Sequence, residues 1–337
     1  MKAMVLEAPG EVAMRDLPMP EPAPGDALVR ITHSGICGTD SKIFTGAIPA
    51  KLPVVMGHEI VGEIVEGKAA DGSGPGTRVL IDPVMFCGTC FHCRAGQTHL
   101  CPTGTLMGRE INGGFEEYCT APAAHLFPLS DDIDDLVAPL IQVLTTVRHA
   151  FTLSKLVPGE AVAVLGLGVT GLMQVQLAKA LGADPVIGVS RNEYKRGLAM
   201  DMGADQVASH GAEAKQAILA STDGRGADLV VESVGHLSVL AEAMDVARTG
   251  GRVLPFGIYS GTEATLPFYE LYFKELNVIS ARAARAEDFP ACIELLRNGS
   301  IDLAPLITHT EPFTELSRAI SMLGESGERR LKIILEH

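Results

Sequence analysis

A chain of 337 residues is longer than a single hydrophobic core usually supports, so two domains are expected. With 47% apolar residues and 36 glycines, the composition suits close-packed α/β structure and excludes a disordered or disulfide-scaffold class. A formal net charge of −14 argues against nucleic acid or anionic membrane as partner, and no apolar run approaches the ~20 residues of a membrane span.

The opening MKAMVLEAPGEV lacks the basic end, apolar stretch and cleavage site of a secretory signal, which favours a cytoplasmic enzyme. Residues 1–143 read as a β-rich region punctuated by glycine and proline, as in MPEPAPGDALVRI (19–31) and GSGPGTRVLIDPV (72–84). Cys37 stands in GICGTD (35–40), and His58 with Glu59 in MGHEIVGEIVEG (56–67). Each alone reads as a packed core residue. Together they form a Cys, His and acid set flanked by glycines that permit close backbone approach. A catalytic zinc wants about three protein ligands and one open position, where it lowers the pKa of a bound oxygen.

Residues 87–101, CGTCFHCRAGQTHLC, place Cys87, Cys90, Cys93 and Cys101 at a C-x2-C-x2-C-x7-C spacing. Disulfides are disfavoured by a reducing cytosol and by the short separations. Four thiolates so spaced suit tetrahedral zinc. An iron–sulfur cluster is the rival, and Pro102 after the last cysteine is a feature that ferredoxin runs share. Zinc is the preferred reading, and a closed sphere of four thiolates makes it structural. His92 and His99 read as polar loop residues, and Cys119 and Cys292 as buried free thiols.

At AVAVLGLGVTG (161–171) an apolar run leads into Gly166-x-Gly168-Val169-x-Gly171. A helical pattern, LMQVQLAKALGA (172–183), and a short strand, PVIGVS (185–190), follow. This context predicts a Rossmann βαβ unit, with a glycine turn and a helix N-terminus that accept a pyrophosphate. The runs DLVVESVG (228–235) and GGRVLPFGIYS (250–260), separated by the alanine-rich helix LSVLAEAMDVA (237–247), extend it into a doubly wound parallel sheet. NAD sites usually carry an acid at the end of the second strand. Here VSRNEYKR (189–196) puts Ser190 at that position and Arg191 after it. A hydroxyl and a guanidinium suit a ribose 2′-phosphate, so NADP is expected over NAD. Lys195 and Arg196 either add to the positive field or decorate a solvated helix face.

GICGTD, GHEIVGEIVEG, the four-cysteine loop and GLGVTG occur in the order of the medium-chain zinc-dependent alcohol dehydrogenases, which the chain resembles over essentially its whole length. MGREINGGFEEY (107–118), ELYFKELNVISARAARAEDFPACIELL (270–296) and IDLAPLITH (301–309) are similar to the polyol, sorbitol and threonine dehydrogenase branch. The resemblance implies a GroES-like, barrel-like catalytic domain over 1–143, a Rossmann domain over 144–280, and a return to the first domain over 281–337. The active site is then expected in the cleft between them.

Carried over by position, the resemblance makes Cys37 and His58 catalytic-zinc ligands, Glu59 a ligand or an alternating acid beside it, and Thr39 the hydroxyl that starts a proton relay. The remaining ligand is where the chain departs from the family. Ala138 stands where the polyol branch has Glu, and Gln142 about where another branch has Cys, in VAPLIQVLTTV (137–147), so the fourth position falls to Gln142, through its amide oxygen or a water, or to solvent with Gln142 only hydrogen-bonded. Ser41-Lys42 occupy the place of a relay His found in some relatives. Further implied cofactor contacts are Thr145, Thr146, Ser233 and Gly235, with Lys332 near the pyrophosphate. Arg109 and Asn112 are candidates for polar substrate groups, and Phe44, Ile48 and Leu106 for an apolar pocket.

The expected activity is hydride transfer between NADP(H) and a secondary alcohol or ketone of a polyol, sugar or small hydroxy compound. Two zinc ions per chain and a homodimer or homotetramer, its last Rossmann strands paired across a two-fold axis, are implied with it. The alternatives are a dehydrogenase for simple secondary alcohols and a non-catalytic NADP-binding protein of the same fold.

Overall fold

The computed structural model describes residues 1–259, 263, 265–324 and 329–337. These form two compact units, Met1–Thr145 with Ala283–His337, and Thr146–Arg282.

The first unit is organised by β1 (Asp26–Ile36), where alternation buries Ala27, Val29 and Ile31 in one apolar cluster with Ile60, Ile64 and Val79. β1 is the hub of a seven-stranded sheet. It pairs antiparallel with β2 (Glu59–Glu66), with Tyr118–Pro122 and with the C-terminal strand Lys332–Glu336. Register decides what meets at the end of β1: Gly35 lies opposite Glu59, and Ile36 opposite Ile333. The chain then turns into α1 (Gly38–Phe44), capped by Cys37, whose sulfur accepts the Thr39 N–H while Asp40 accepts the Cys37 N–H. Phe44 and Ile48 pack against the neighbouring apolar core. A helix spans Asp288–Arg297, followed by the cap Asn298 and by Gly299, where φ is +71°.

The division between units falls within α2 (Ala138–Ser154). The second unit then alternates β3 (Val162–Leu165), α3 (Val169–Ala180), β4 (Val186–Val189), α4 (Glu193–Asp201), β5 (Gln206–Ala208), α5 (Ala212–Ala220), β6 (Ala227–Glu232), α6 (Leu237–Val246), β7 (Ala247–Pro255), α7 (Phe268–Phe273) and β8 (Asn277–Val278). All strand pairs are parallel, in the order β5-β4-β3-β6-β7-β8. Every residue of β3, β4 and β6 is buried, as expected for parallel strands with crossovers on both faces. The order reverses between β3 and β6, which defines a switch point. α3 begins earlier than its apolar pattern suggests, because Gly168 supplies the cap, and it stops before Gly182 (φ +84°). Of the apolar run 250–260, Ser260 lies outside the described residues. No helix among the described residues is long and apolar enough to cross a membrane.

Candidate functional site

In the first unit, Cys37 Sγ, a ring nitrogen of His58 and a carboxylate oxygen of Glu59 lie within 4.8 Å of one another. Backbone shape makes this possible. A Cβ at Gly35 would sit 1.9 Å from Glu59 Oε2, and one at Gly57 (φ +95°) 2.6 Å from the Phe115 ring. Asp40, fully buried, places Oδ1 3.3 Å from His58 Nδ1 and accepts the Cys37 N–H with Oδ2 at 2.8 Å. A carboxylate at Nδ1 selects the tautomer and leaves Nε2 as the donor to a metal. Burial opposes charge on His58, yet the Asp40 carboxylate and the Cys37 thiol raise its pKa well above the ordinary imidazole value.

Lys332, which the resemblance implies near the pyrophosphate, is carried to the end of β1 by the register that sets Ile333 opposite Ile36. Its buried Nζ donates to Glu59 Oε1 at 2.7 Å and to the Ile36 carbonyl at 3.0 Å, and lies 2.5 Å from Oε2. A thiol, an imidazole and two carboxylates make a largely buried set of nitrogen, sulfur and oxygen donors. That donor chemistry fits a divalent zinc. Ala138 and Gln142 are both buried near the start of α2, and Ala138 offers no ligand atom. Thr39, half-buried, occupies the first turn of α1. Arg109 is paired with Glu110 at 2.5 Å, and Asn112 Oδ1 accepts the Val55 N–H at 3.1 Å, so both hold their own loops.

The four loop cysteines gather as spaced. Sγ···Sγ distances are 3.4 Å for Cys90–Cys93, 3.9 Å for Cys87–Cys93 and 4.0 Å for Cys90–Cys101. A tetrahedron of sulfurs about 2.3 Å from zinc has edges of about 3.8 Å, whereas a disulfide needs about 2.05 Å. The backbone and hydroxyl of Thr89, with the N–H of Cys90, pull the Cys87 thiol down to about 5, so it stands ready as a thiolate. The set fits a zinc.

In the second unit the glycine motif closes tightly. Gly166 has φ +105°, and a Cβ at Gly171 would meet the Gly166 carbonyl at 1.9 Å. Gly168 caps α3 and Val169 opens it. At the end of β4, Ser190 Oγ accepts the Asn192 N–H at 3.2 Å, and the Arg191 side chain is exposed. Arg196 is engaged structurally, donating to the Ser190 and Arg191 carbonyls at 2.7 and 3.1 Å. Lys195 is half-buried in the first turn of α4, its N–H capped by Asn192. Ser233 Oγ donates to Gln174 Oε1 at 2.8 Å. Thr145, buried, donates to the Gln142 carbonyl at 2.6 Å. Sequence reading passed over Asp40. Its signal was an acid three residues after the candidate ligand Cys37, at the N3 position of a helix.

Residues 23–131 match the alcohol dehydrogenase GroES-like domain and residues 169–298 the zinc-binding dehydrogenase model. The L-threonine 3-dehydrogenase of Pyrococcus horikoshii is 31% identical over 97% of both chains. The sorbitol dehydrogenase of Halalkalibacterium halodurans is 29% identical over 99% of both. Among solved structures, a protein assigned as a zinc-binding dehydrogenase of Sinorhizobium meliloti 1021, bound to NADP, superposes with a TM-score of 0.92 at 30% identity, covering 100% of this chain and 99% of that one. One described as a short chain alcohol dehydrogenase (rspB) of Escherichia coli CFT073, complexed with NADH, gives 0.93 at 30% identity with the same coverage. The chain therefore belongs to the medium-chain, zinc-type alcohol dehydrogenase family and is an oxidoreductase.

Proposed function

We propose that the protein transfers hydride between NADP(H) and a secondary alcohol or ketone of a polyol, sugar or small hydroxy compound, with one catalytic and one structural zinc per chain. The convergence of Cys37, His58 and Glu59 within 4.8 Å carries this reading. Zinc held there supplies a Lewis acid for the substrate oxygen. The chain's own residues do the rest. Asp40 holds the His58 ring in the metal-binding tautomer, Lys332 balances the Glu59 carboxylate, and the Thr39 hydroxyl takes up and passes the alcohol proton. Gly166, Gly168, Val169 and Gly171 receive the pyrophosphate at the start of α3.

NADP preference rests on Ser190 and Arg191 at the end of β4, where an acid that would repel a 2′-phosphate is replaced by a hydroxyl and an exposed guanidinium. The polyol class is supported by relatives named sorbitol dehydrogenase and L-threonine 3-dehydrogenase, whose names both describe alcohols on polar carbon chains. A homo-oligomer is supported by α7 and β8. Phe268, Tyr269, Tyr272 and Phe273 are 66%, 69%, 82% and 67% exposed beside the sheet-edge strand β8. A cytoplasmic setting is supported by the zinc reading, since cysteines that serve as metal thiolates must stay reduced.

The test is steady-state reduction of NADP and of NAD over a panel of polyols, sugar acids and simple secondary alcohols. With Arg191→Ala, kcat/KM for NADP is expected to fall about 10- to 100-fold while that for NAD changes little. Equal losses for both cofactors, or a wild type that prefers NAD, would overturn the phosphate assignment.

A further inference from the structure

Beyond the switch point of the second unit, two loops follow adjacent strands: 233–235 after β6 and 256–259 after β7. One buried carboxylate ties them together. Glu232, the last residue of β6, is fully buried between Leu165 and Pro255. Its Oε1 accepts the N–H groups of Val234 and Gly235 at 2.8 and 3.0 Å, and its Oε2 accepts Gly235 N–H at 3.1 Å and the Tyr259 hydroxyl. Its carbonyl accepts the N–H groups of Phe256 and Gly257 at 2.8 and 3.0 Å. These donors replace the water lost on burial, and the same contacts satisfy loop N–H groups that would otherwise be orphaned.

The loops interlock and rest on the glycine motif. A Cβ at Gly257 would lie 2.1 Å from the Gly235 nitrogen, and one at Gly235 2.7 Å from the Ile258 carbonyl. A Cβ at Gly166 would lie 2.7 Å from Val234 Cγ2. Outside this lattice, Val234 and Ile258 are 56% and 53% exposed, two apolar side chains at the C-terminal edge of the parallel sheet. Sheet order assigns them a ligand half. β4, with Ser190 and Arg191, lies on one side of β3, and β6 and β7 on the other. A dinucleotide whose pyrophosphate meets α3 and whose adenosine ribose meets β4 directs its nicotinamide half toward β6 and β7.

We infer that Glu232 is a positioning residue for the nicotinamide half of the dinucleotide: its carboxylate, with Tyr259 as hydroxyl partner, sets the shape of loops 233–235 and 256–259. This rests on the dinucleotide reading above. It separates Glu232 from a residue that merely stabilises the unit, because only one half of the ligand should feel its loss.

The experiment measures equilibrium binding of NADPH and of 2′,5′-ADP, the adenosine-half fragment, to wild type, Glu232→Gln and Tyr259→Phe, with thermal melting alongside. Glu232→Gln is expected to weaken NADPH about tenfold and to leave 2′,5′-ADP within about twofold, and Tyr259→Phe to weaken NADPH about threefold with the same selectivity. Unchanged NADPH affinity, or equal weakening of both ligands, overturns the inference. If Glu232→Gln fails to fold, the ratio of the two affinities in Tyr259→Phe decides by the same criteria. A wild type that binds neither NADPH nor NADH overturns the dinucleotide reading first, and this inference with it.

Discussion

Asp40 contacts His58 with one oxygen and the Cys37 backbone with the other, so a single buried carboxylate orients two of the three side chains in the candidate metal centre. Asp40→Asn is expected to lower zinc affinity there about 10- to 100-fold, read by competition with a chromogenic chelator, and wild-type affinity would contradict this role. Glu116 gives a second test at this scale. Burial pushes its pKa up to about 8. The folded chain thus holds this proton more tightly than the unfolded chain, and stability is lost as pH rises from the ordinary glutamate range through about 8. Glu116→Gln should match wild type in acid and gain about 2–4 kcal/mol near pH 9, measured by denaturant unfolding at both pH values. No gain at high pH would mean that the carboxylate is solvated or paired. Cys37, His58 and Glu59 were legible in the sequence because their side-chain chemistry announces itself beside glycines. Asp40 and the Glu59 contact of Lys332 were not, since each depends on a register or a cap that residue type does not reveal.

The loop at 87–101 folds around its sulfurs, with a four-residue helix, Phe91–Arg94, and a single 3-10 turn, Thr98–Leu100, of its own. Its order should therefore come from the metal. Cys101→Ser is expected to bind one zinc fewer per chain and to melt several degrees lower, while retaining the metal at Cys37. An unchanged melting temperature with one zinc lost would show that the loop is held by other contacts. The spacing alone exposed this element, because short cysteine gaps have few other uses. Four strands of the second unit, β3, β4, β6 and β7, were similarly plain as apolar runs, whereas the short edge strands β5 and β8 carried no such signal. What apolarity concealed was the end of β6: Glu232 sat within DLVVESVG as the second acid after Asp228, and only the loops that converge on it give it a role.

Composition and length suggest two domains, but not that the first is discontinuous. That division came from family resemblance, since no periodicity shows that Lys332–Glu336 pairs with residues 33–36 at the other end of the chain. At this scale the exposed aromatics of α7 have a testable consequence. Tyr272→Asp should shift the protein toward monomer in light scattering, and a wild type that is already monomeric would contradict the oligomer assignment. The most direct measurement is made on wild type and Cys37→Ser together: zinc content, NADPH affinity and turnover on the alcohol panel from the same preparations. A catalytic metal at Cys37, His58 and Glu59 requires about two zinc ions per wild-type chain and about one in the variant, with NADPH binding retained and turnover reduced at least about a thousandfold. Turnover that survives the loss of that zinc, or a variant that keeps both ions, would contradict it.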